Sequence, residues 1–168
     1  EKNMTIEELM PLGERVRSNT RTLGVAINSG ISPITNKSMF TLPDDEVFIG
    51  MGVHGEPGVA RRKLTTVKDL VSFMMSKILE DKDIKSGTTV IVLINGMGGS
   101  TLMELYSVFS EVNKFLKEKL IENVSPMIGS FSTTQETAGF SISLLIPDDL
   151  MLNLWRAPHI TPNFPLIR

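Results

Sequence analysis

Thr88-Thr89-Val90-Ile91-Val92-Leu93-Ile94 is the stretch that decides the fold of this 168-residue chain. After two threonines, it is an unbroken apolar run rich in β-branched residues, which is typical of a strand buried on both faces of a sheet. Apolar residues then recur at helical spacing over 102–120, which predicts a long amphipathic helix. A buried strand that leads into such a helix is the building unit of layered α/β domains.

The same patterns extend in both directions from this unit. Further strands are predicted at 22–28, 46–53, 127–131 and 140–146, and further helices at 5–19, 66–81 and 150–156. Pro11 lies inside the first of these helices and is expected to kink or break it. The alternation predicts one α/β domain over 1–168, a layered domain with a mixed, largely parallel central sheet and flanking helices.

Composition narrows the classes of function. The net charge is −2, and the densest basic cluster, Arg61-Arg62-Lys63, favours a solvated loop over a nucleic-acid-binding surface. The absence of cysteine excludes disulfides, thiolate metal sites and cysteine nucleophiles. No apolar run approaches the roughly 20 residues that span a bilayer. We therefore expect a cytoplasmic protein that binds neither membranes nor, directly, nucleic acid.

Two glycine-rich loops are the candidate sites. The first, Gly-Met-Gly-Val-His-Gly-Glu-Pro-Gly at 50–58, presents His54, one of two histidines. Glycine concentrates where backbone turns tightly or approaches another group. An imidazole on such a loop can be a ligand, a base or a nucleophile, although a purely structural histidine fits the spacing equally well.

The second loop, Asn95-Gly96-Met97-Gly98-Gly99-Ser100-Thr101, joins the buried strand to the long helix. Strand-to-helix turns commonly bind phosphate, but this one lacks both the P-loop lysine and the dinucleotide pattern G-x-G-x-x-G. A structural turn capped by Ser100, or a wall beside a small polar ligand, is therefore favoured. The chain also has no His-x-x-x-His, Asp-x-Asp or G-x-S-x-G pattern, so neither a metal site nor a serine hydrolase is predicted.

Together the two loops resemble those of the dihydroxyacetone kinase family, specifically the second half of its substrate-binding K subunit. The likeness includes Glu104-Leu105 and the segments 7–12, 19–26 and 138–142. Its most specific part is the long G-x-G-x-H-G-E-P-G run. We therefore expect residues 1–168 to be the second half of a longer K subunit, with the upstream half outside this sequence.

The resemblance implies a role for the first loop. In that family the histidine at the His54 position binds dihydroxyacetone covalently as a hemiaminal, so His54 is the implied catalytic residue. The implied substrate-binding residues are His54, Gly52, Gly55 and Glu56. The glycines leave room for a small substrate, and Glu56 either orients the imidazole or closes the loop.

The resemblance also implies partners. In that family the acid–base residues lie in the upstream half, and the nucleotide donor sits on a separate subunit or domain. No cofactor or metal is therefore expected in this chain, which alone should hold dihydroxyacetone without transferring phosphate. The family likeness further suggests a homodimer.

One segment departs from the family pattern. Glu136-Thr137 stands where the family usually has an aspartate–methionine pair. Some relatives of the K subunit bind dihydroxyacetone but serve as transcriptional co-activators. The alternative is therefore a catalytically inactive K-like protein that reports dihydroxyacetone to a transcriptional regulator of its operon.

Overall fold

The computed structural model describes residues 3–52, 56 and 58–162. The elements of this part, in chain order, are α1 (Ile6–Asn19), β1 (Thr20–Ala26), β2 (Glu46–Ile49), β3 (Ala60–Lys63), α2 (Val67–Lys82), β4 (Thr89–Gly96), α3 (Leu102–Glu118), β5 (Glu122–Asn123), β6 (Met127–Gly129), β7 (Gly139–Leu145) and α4 (Asp149–Trp155). None of these helices is long and apolar enough to cross a membrane.

The strands form one mixed sheet in the order β3-β2-β1-β7-β4-β5, and β6 also pairs with β4. This confirms the layered α/β class. The expectation of a largely parallel sheet is wrong, because neighbouring strands from β3 through to β4 run antiparallel. Parallel pairing between described strands is confined to β4 with β5 and β6. Two of the antiparallel pairs arise from β7, which lies between β1 and β4 and runs opposite to both, and the other two join β1, β2 and β3 in succession.

The core lies between one face of the sheet and the helices α2 and α3. The decisive strand, β4, buries Val90, Val92 and Ile94 completely. Helix α3 turns a stripe at helical spacing toward them, formed by Leu105, Val108, Val112 and Leu116. Burial of such side chains, each contributing roughly 1.5–3 kcal/mol, is the main force that fixes helix on sheet.

A row of residues without large side chains crosses the middle of the sheet. The register pairs Ser141 of β7 with Gly24 of β1 on one side and with Asn95 of β4 on the other. Their neighbours Val25 and Phe140 belong to the helix-covered core. Because successive side chains of a strand point to opposite faces, the row faces away from α2 and α3.

Helix α1 continues through Pro11 rather than breaking there. Its first turn is fixed by a capping box in which Thr5 and Glu8 bond each other's backbone N–H groups. Proline at position 11 removes the bond to the carbonyl of Glu7 four residues earlier. That residue is exposed, so water can hydrate the freed carbonyl and the helix need not end.

The basic segment predicted to be a loop is an edge strand. β3 pairs along its whole length with β2, and all four of its residues are exposed. An edge strand open on both faces carries no alternation of apolar and polar residues, so the pattern could not reveal it. The Arg62 guanidinium lies 3.9 Å from the centre of the Phe73 ring, and Lys63 pairs with Asp45.

Candidate functional site

The first glycine-rich loop is anchored to the sheet at both ends. It leaves β2 after Ile49, earlier than predicted, and Gly50 takes a left-handed φ of 78°. The Gly50 N–H donates to the carbonyl of Gly24 at 2.7 Å, and the Val59 N–H donates to the carbonyl of Ile49 at 2.8 Å. The loop therefore begins and ends against fixed backbone.

Between these anchors, Gly52 and Glu56 are in contact with each other. The Gly52 N–H donates to the backbone carbonyl of Glu56 at 3.2 Å. The Glu56 side chain lies over the bare Cα of Gly52, where any Cβ would collide with its carboxylate. Both residues were predicted for the site, whereas His54 and Gly55 lie outside the described residues and their roles stay predictions.

The second glycine-rich loop packs backbone against backbone. Gly98 has a φ of 121°, and a Cβ there would collide with the carbonyl oxygen of Gln135. The Gly99 N–H donates to the carbonyl of Thr137 at 2.9 Å, and a Cβ on Gly99 would collide with the carbonyl of Glu136. These glycines serve close chain packing, which supports the structural interpretation of the turn.

The cap of α3 is Thr101 rather than Ser100. Thr101 and Glu104 form a capping box, and the N–H and hydroxyl of Thr101 both donate to the Glu104 carboxylate, which lowers the pKa of that carboxyl. Ser100 instead bridges to Gly139: its hydroxyl donates to the Gly139 carbonyl at 2.9 Å and accepts from the Gly139 N–H at 3.0 Å. The prediction failed by one residue because both hydroxyls suit an N-cap.

Asn95 at the end of β4 is buried and fully engaged. Its Nδ2 donates to the carbonyl of Ser132 at 2.8 Å, and its Oδ1 accepts from the N–H groups of Phe131 and Ser132 at 2.8 and 2.9 Å. The side chain thus fixes the segment after β6 to the end of β4.

The two loops meet at Gly24, in the middle of β1. A Cβ on Gly24 would lie 2.7 Å from the carbonyl oxygen of Met51 and 2.9 Å from the Cε of Met97. Met51 belongs to the first loop, Met97 to the second, and both are buried. Sequence reasoning missed this junction, although glycine inside a strand signals a close approach of other groups.

The pair Glu136-Thr137, which departs from the pattern of the resembled family, includes a residue with a packing role. Thr137 is fully buried, and its hydroxyl accepts a hydrogen bond from the Gly30 N–H at 3.1 Å. The neighbouring Glu136 is exposed. Thr137 therefore has a local structural role, which is to satisfy the Gly30 N–H.

The second histidine lies in a different region. His159 lies beside a groove of 780 Å³ between α1 and the end of α4, where its Nδ1 is 2.9 Å from the carbonyl oxygen of Ala157. Across residues 3–52, 56 and 58–162, no cluster of three or more histidine or carboxylate side chains is arranged to hold a metal ion.

Comparison with known proteins decides the family. The Dak1 domain matches residues 1–163. The chain belongs to the Dak1 domain family. The resemblance to dihydroxyacetone kinases found in the sequence is thereby confirmed.

Two curated relatives illustrate the range of this Dak1 family. The dihydroxyacetone-binding subunit DhaK of a PTS-dependent dihydroxyacetone kinase from Listeria innocua is 34% identical over 163 residues, which cover 97% of this chain and 49% of the relative. An L-erythrulose kinase from Pectobacterium atrosepticum is 32% identical over 168 residues, with 98% and 28% covered. The chain thus spans about half the length of the first relative.

Among solved structures, this Dak1 chain resembles the dihydroxyacetone kinase operon co-activator Dha-DhaQ. The TM-score is 0.86 at 29% identity, and the match covers 92% of this chain and 48% of the co-activator. The dihydroxyacetone kinase of C. freundii shares the fold, with a TM-score of 0.81 at 22% identity over 98% of this chain and 30% of the kinase. A similar Dak1 fold therefore occurs in both a kinase and a co-activator.

Proposed function

We propose that this chain binds dihydroxyacetone through a covalent hemiaminal on His54, as the substrate-holding part of a dihydroxyacetone kinase. The support is the G-x-G-x-H-G-E-P-G run in a Dak1 chain whose relatives include dihydroxyacetone-binding subunits. The observation that carries the proposal is the anchoring of this loop at Gly24 and its closure between Gly52 and Glu56. A loop anchored in this way can present a nucleophile with little loss of entropy on binding.

The proposed step conserves all atoms of both reactants. The lone pair of a neutral imidazole nitrogen adds to the ketone carbon, a carbon–nitrogen bond forms, and the carbonyl π electrons move to oxygen. That oxygen gains a proton while the imidazolium formed by the addition loses one. No water leaves, so the product has the summed mass of protein and substrate. Glycerol, which lacks a carbonyl, cannot react.

Intact mass spectrometry of the chain with dihydroxyacetone tests the proposal. The protein should gain the full mass of one substrate molecule, and the His54→Ala variant should gain none. Formation should weaken below about pH 6.5, because a protonated imidazole has no lone pair to donate. A His54→Ala variant that still gains this mass would contradict the proposal.

The chain offers a matched control. The His159→Ala variant removes the other histidine, which lies by the groove near α1. It should form the adduct as the unaltered protein does. Loss of the adduct in both variants, with retained fold, would mean that the reaction depends on something other than His54.

The partners follow from the same proposal. The chain contains no P-loop and no dinucleotide motif, which agrees with a nucleotide donor held on a separate subunit or domain. We propose further that phosphoryl transfer needs an upstream half that supplies acid–base groups, and that the assembled protein is a homodimer. When the proposed upstream half and the nucleotide-carrying subunit are added to the chain, a phosphoryl group should pass from the nucleotide to dihydroxyacetone.

The likeness to Dha-DhaQ favours a second candidate function, a dihydroxyacetone sensor that acts on a transcriptional regulator. Both functions include the hemiaminal, so the adduct does not separate them. Phosphate transfer in the reconstituted assembly would exclude the sensor. Continued inactivity, together with dihydroxyacetone-dependent binding to a regulator, would exclude the kinase component.

A further inference from the structure

Helix α1 carries an apolar stripe that the described part of the chain leaves largely uncovered. No residue of α1 is buried there, whereas α2, α3 and α4 each bury at least one side chain. The exposed members of the stripe recur at helical spacing and are Ile6, Leu9, Met10 and Val16. We infer that this stripe, which we name the α1 face, is the surface on which the upstream half of the polypeptide packs. This inference rests on the upstream half that the proposed function requires.

The sequence of α1 makes such packing necessary. Pro11 and Gly13 lie in its interior, and these are the two residue types that least favour a helix. Helices shorter than roughly 12–15 residues are marginal in water even with favourable sequences, and α1 has 14 residues. Ile6 and Met10 are nevertheless 71% and 70% exposed. A helix of this kind is maintained by burial of its apolar face, so the α1 face needs a partner.

Gly13, which lies among the apolar residues of α1, has no structural explanation within the described chain. Of the described glycines it alone has neither a left-handed φ nor a close neighbour, since a Cβ there would meet no described atom within 4 Å. At Gly24, by contrast, a Cβ would collide with groups of two loops. Because glycine suits places where another backbone comes close, we expect backbone of the partner to lie against Gly13.

A groove continues the α1 face toward the end of α4. It has a volume of 780 Å³, and α1 lines it with Leu9 and Leu12. The other lining residues include Leu154 and Ile160, and Ile160 is 79% exposed. Contiguous apolar surface of this kind marks a site of interaction. The surface open to a partner thus extends from the helix to the end of α4.

The charges of α1 favour an apolar partner over an acidic one. Arg15 pairs with Asp148 at 3.2 Å. Arg17 pairs with Glu14 at 2.6 Å. These two are the cations of α1, so neither is left unpaired to attract an acidic partner. Recognition at the α1 face therefore rests on burial of apolar surface.

An upstream half fits this surface better than a second copy of the chain does. A helix of 14 residues is about 21 Å long and about 10 Å wide. Stable interfaces between separate proteins bury roughly 800 Å² per partner, which is several times the area of such a strip. A half that is covalently joined ahead of α1 needs less area, because the link keeps it at high effective concentration. The relative from Listeria innocua is about twice as long as this chain, which leaves room for such a half.

Amide hydrogen exchange tests the inference on two proteins. One is this chain alone, and the other is the longer polypeptide that includes the proposed upstream half. Peptides of residues 6–19 should exchange about 10- to 100-fold more slowly in the longer polypeptide, because packing adds an opening step before exchange. Equal exchange in the two proteins would overturn the inference. Protection in the chain alone that rises with its concentration would also overturn it, since a second copy would then cover the α1 face.

Met10→Glu and Met103→Glu form a matched pair of variants. Both methionines are exposed on helices, Met103 at 80%, but only Met10 lies on the α1 face. In the longer polypeptide, Met10→Glu should remove most of the added protection of α1, and Met103→Glu should leave it unchanged. An equal loss in both variants would show that the protection does not come from contact at the α1 face.

Gly13→Ala is the sharpest test, because its effect should change sign between the two proteins. In the chain alone, alanine favours the helix and meets no described atom, so exchange of α1 should slow by about two- to fivefold. In the longer polypeptide, the new Cβ would hold off the packed backbone, and exchange should quicken by about tenfold. Slower exchange in both proteins would contradict packing at Gly13. Protection of α1 in a polypeptide that forms no dihydroxyacetone adduct would refute only the chemistry proposed for His54.

Discussion

The two glycine-rich loops look alike in sequence but use their glycines differently. In the second loop, Gly98 and Gly99 face backbone carbonyls of the segment before β7, and nothing there can move aside. In the first loop, Gly50 faces the side chain of Val59 and Gly52 faces the carboxylate of Glu56. Gly98 and Gly99 therefore belong to the frame, as does Gly58 at the end of the first loop, which faces the Ile49 carbonyl, whereas Gly50 and Gly52 face side chains. Glycine content alone therefore does not identify a functional loop; the groups that face each glycine do.

Gly98→Ala should have the largest effect of the variants that test this contrast. The new Cβ would collide with the Gln135 carbonyl, and a φ of 121° is strained for any side chain. We expect a loss of about 3–5 kcal/mol in the free energy of unfolding, measured by urea denaturation. A loss below about 1 kcal/mol would mean that the backbone facing Gly98 adjusts as readily as a side chain does. It would contradict the difference drawn here between the two loops.

Gly50→Ala should have an intermediate effect. Its φ of 78° disfavours alanine, and the Cγ2 of Val59 would lie 2.9 Å from the new Cβ but can rotate away. We expect a loss of about 1–2 kcal/mol in the same measurement. Gly87→Ala is the matched control, since its φ is 83° and its Cβ would meet nothing within 4 Å. The difference between the stability losses of Gly50→Ala and Gly87→Ala measures the cost of the Val59 contact. Equal losses would mean that this contact does not affect stability.

The smallest expected loss of stability comes from Glu104→Gln, which alters the N-terminal cap between the second loop and α3. The N–H of Thr101, and next its hydroxyl, hold the pKa of Glu104 below its usual value of 4.5 in the folded protein. Its ionised form therefore contributes stability that is complete above about pH 4.5 and is lost as the pH falls through the lowered pKa. Glu104→Gln should thus cost stability near neutral pH, and this cost should shrink as the pH falls below about 4.5.

Urea denaturation at several pH values checks the Glu104 prediction. Adduct formation at neutral pH should be the same in Glu104→Gln as in the unaltered protein, because the cap belongs to the frame. A pH-independent cost would contradict the role of ionised Glu104. A weakened adduct would contradict the separation of the two loops.

The sequence predicted those parts of the fold whose burial leaves a local pattern. The apolar run of β4 and the stripe of α3 were found for this reason. β3 was missed because all its residues are exposed, and β5 because it has only two residues. The direction of β7 relative to its neighbours was also missed, since strand pairing joins residues far apart in the chain and leaves no local periodicity.

In the candidate site, too, the sequence predicted features with a local pattern and missed those that depend on residues far apart in the chain. Glycine content identified both loops, and the motif at 50–58 pointed to the right family. Their junction at Gly24 could not be derived, because it brings together Met51 and Met97, which are more than forty positions apart in the chain. The cap at Thr101 was displaced by one residue because Ser100 offers the same chemistry.

The edge strands of the sheet, here called its margins, bear on the tendency of the protein to aggregate at high concentration. A strand at a margin exposes unpaired backbone groups onto which other chains can add, and this is a common start of fibrous aggregation. Here one margin is β3, with the cationic run Arg61-Arg62-Lys63, and the other consists of the short strands β5 and β6, which both pair with β4. Positive charge repels a second copy at the first margin, and shortness leaves little to extend at the second. The charged strand β3, which the sequence pattern did not reveal, is thus a feature of the kind that limits edge-to-edge pairing of sheets.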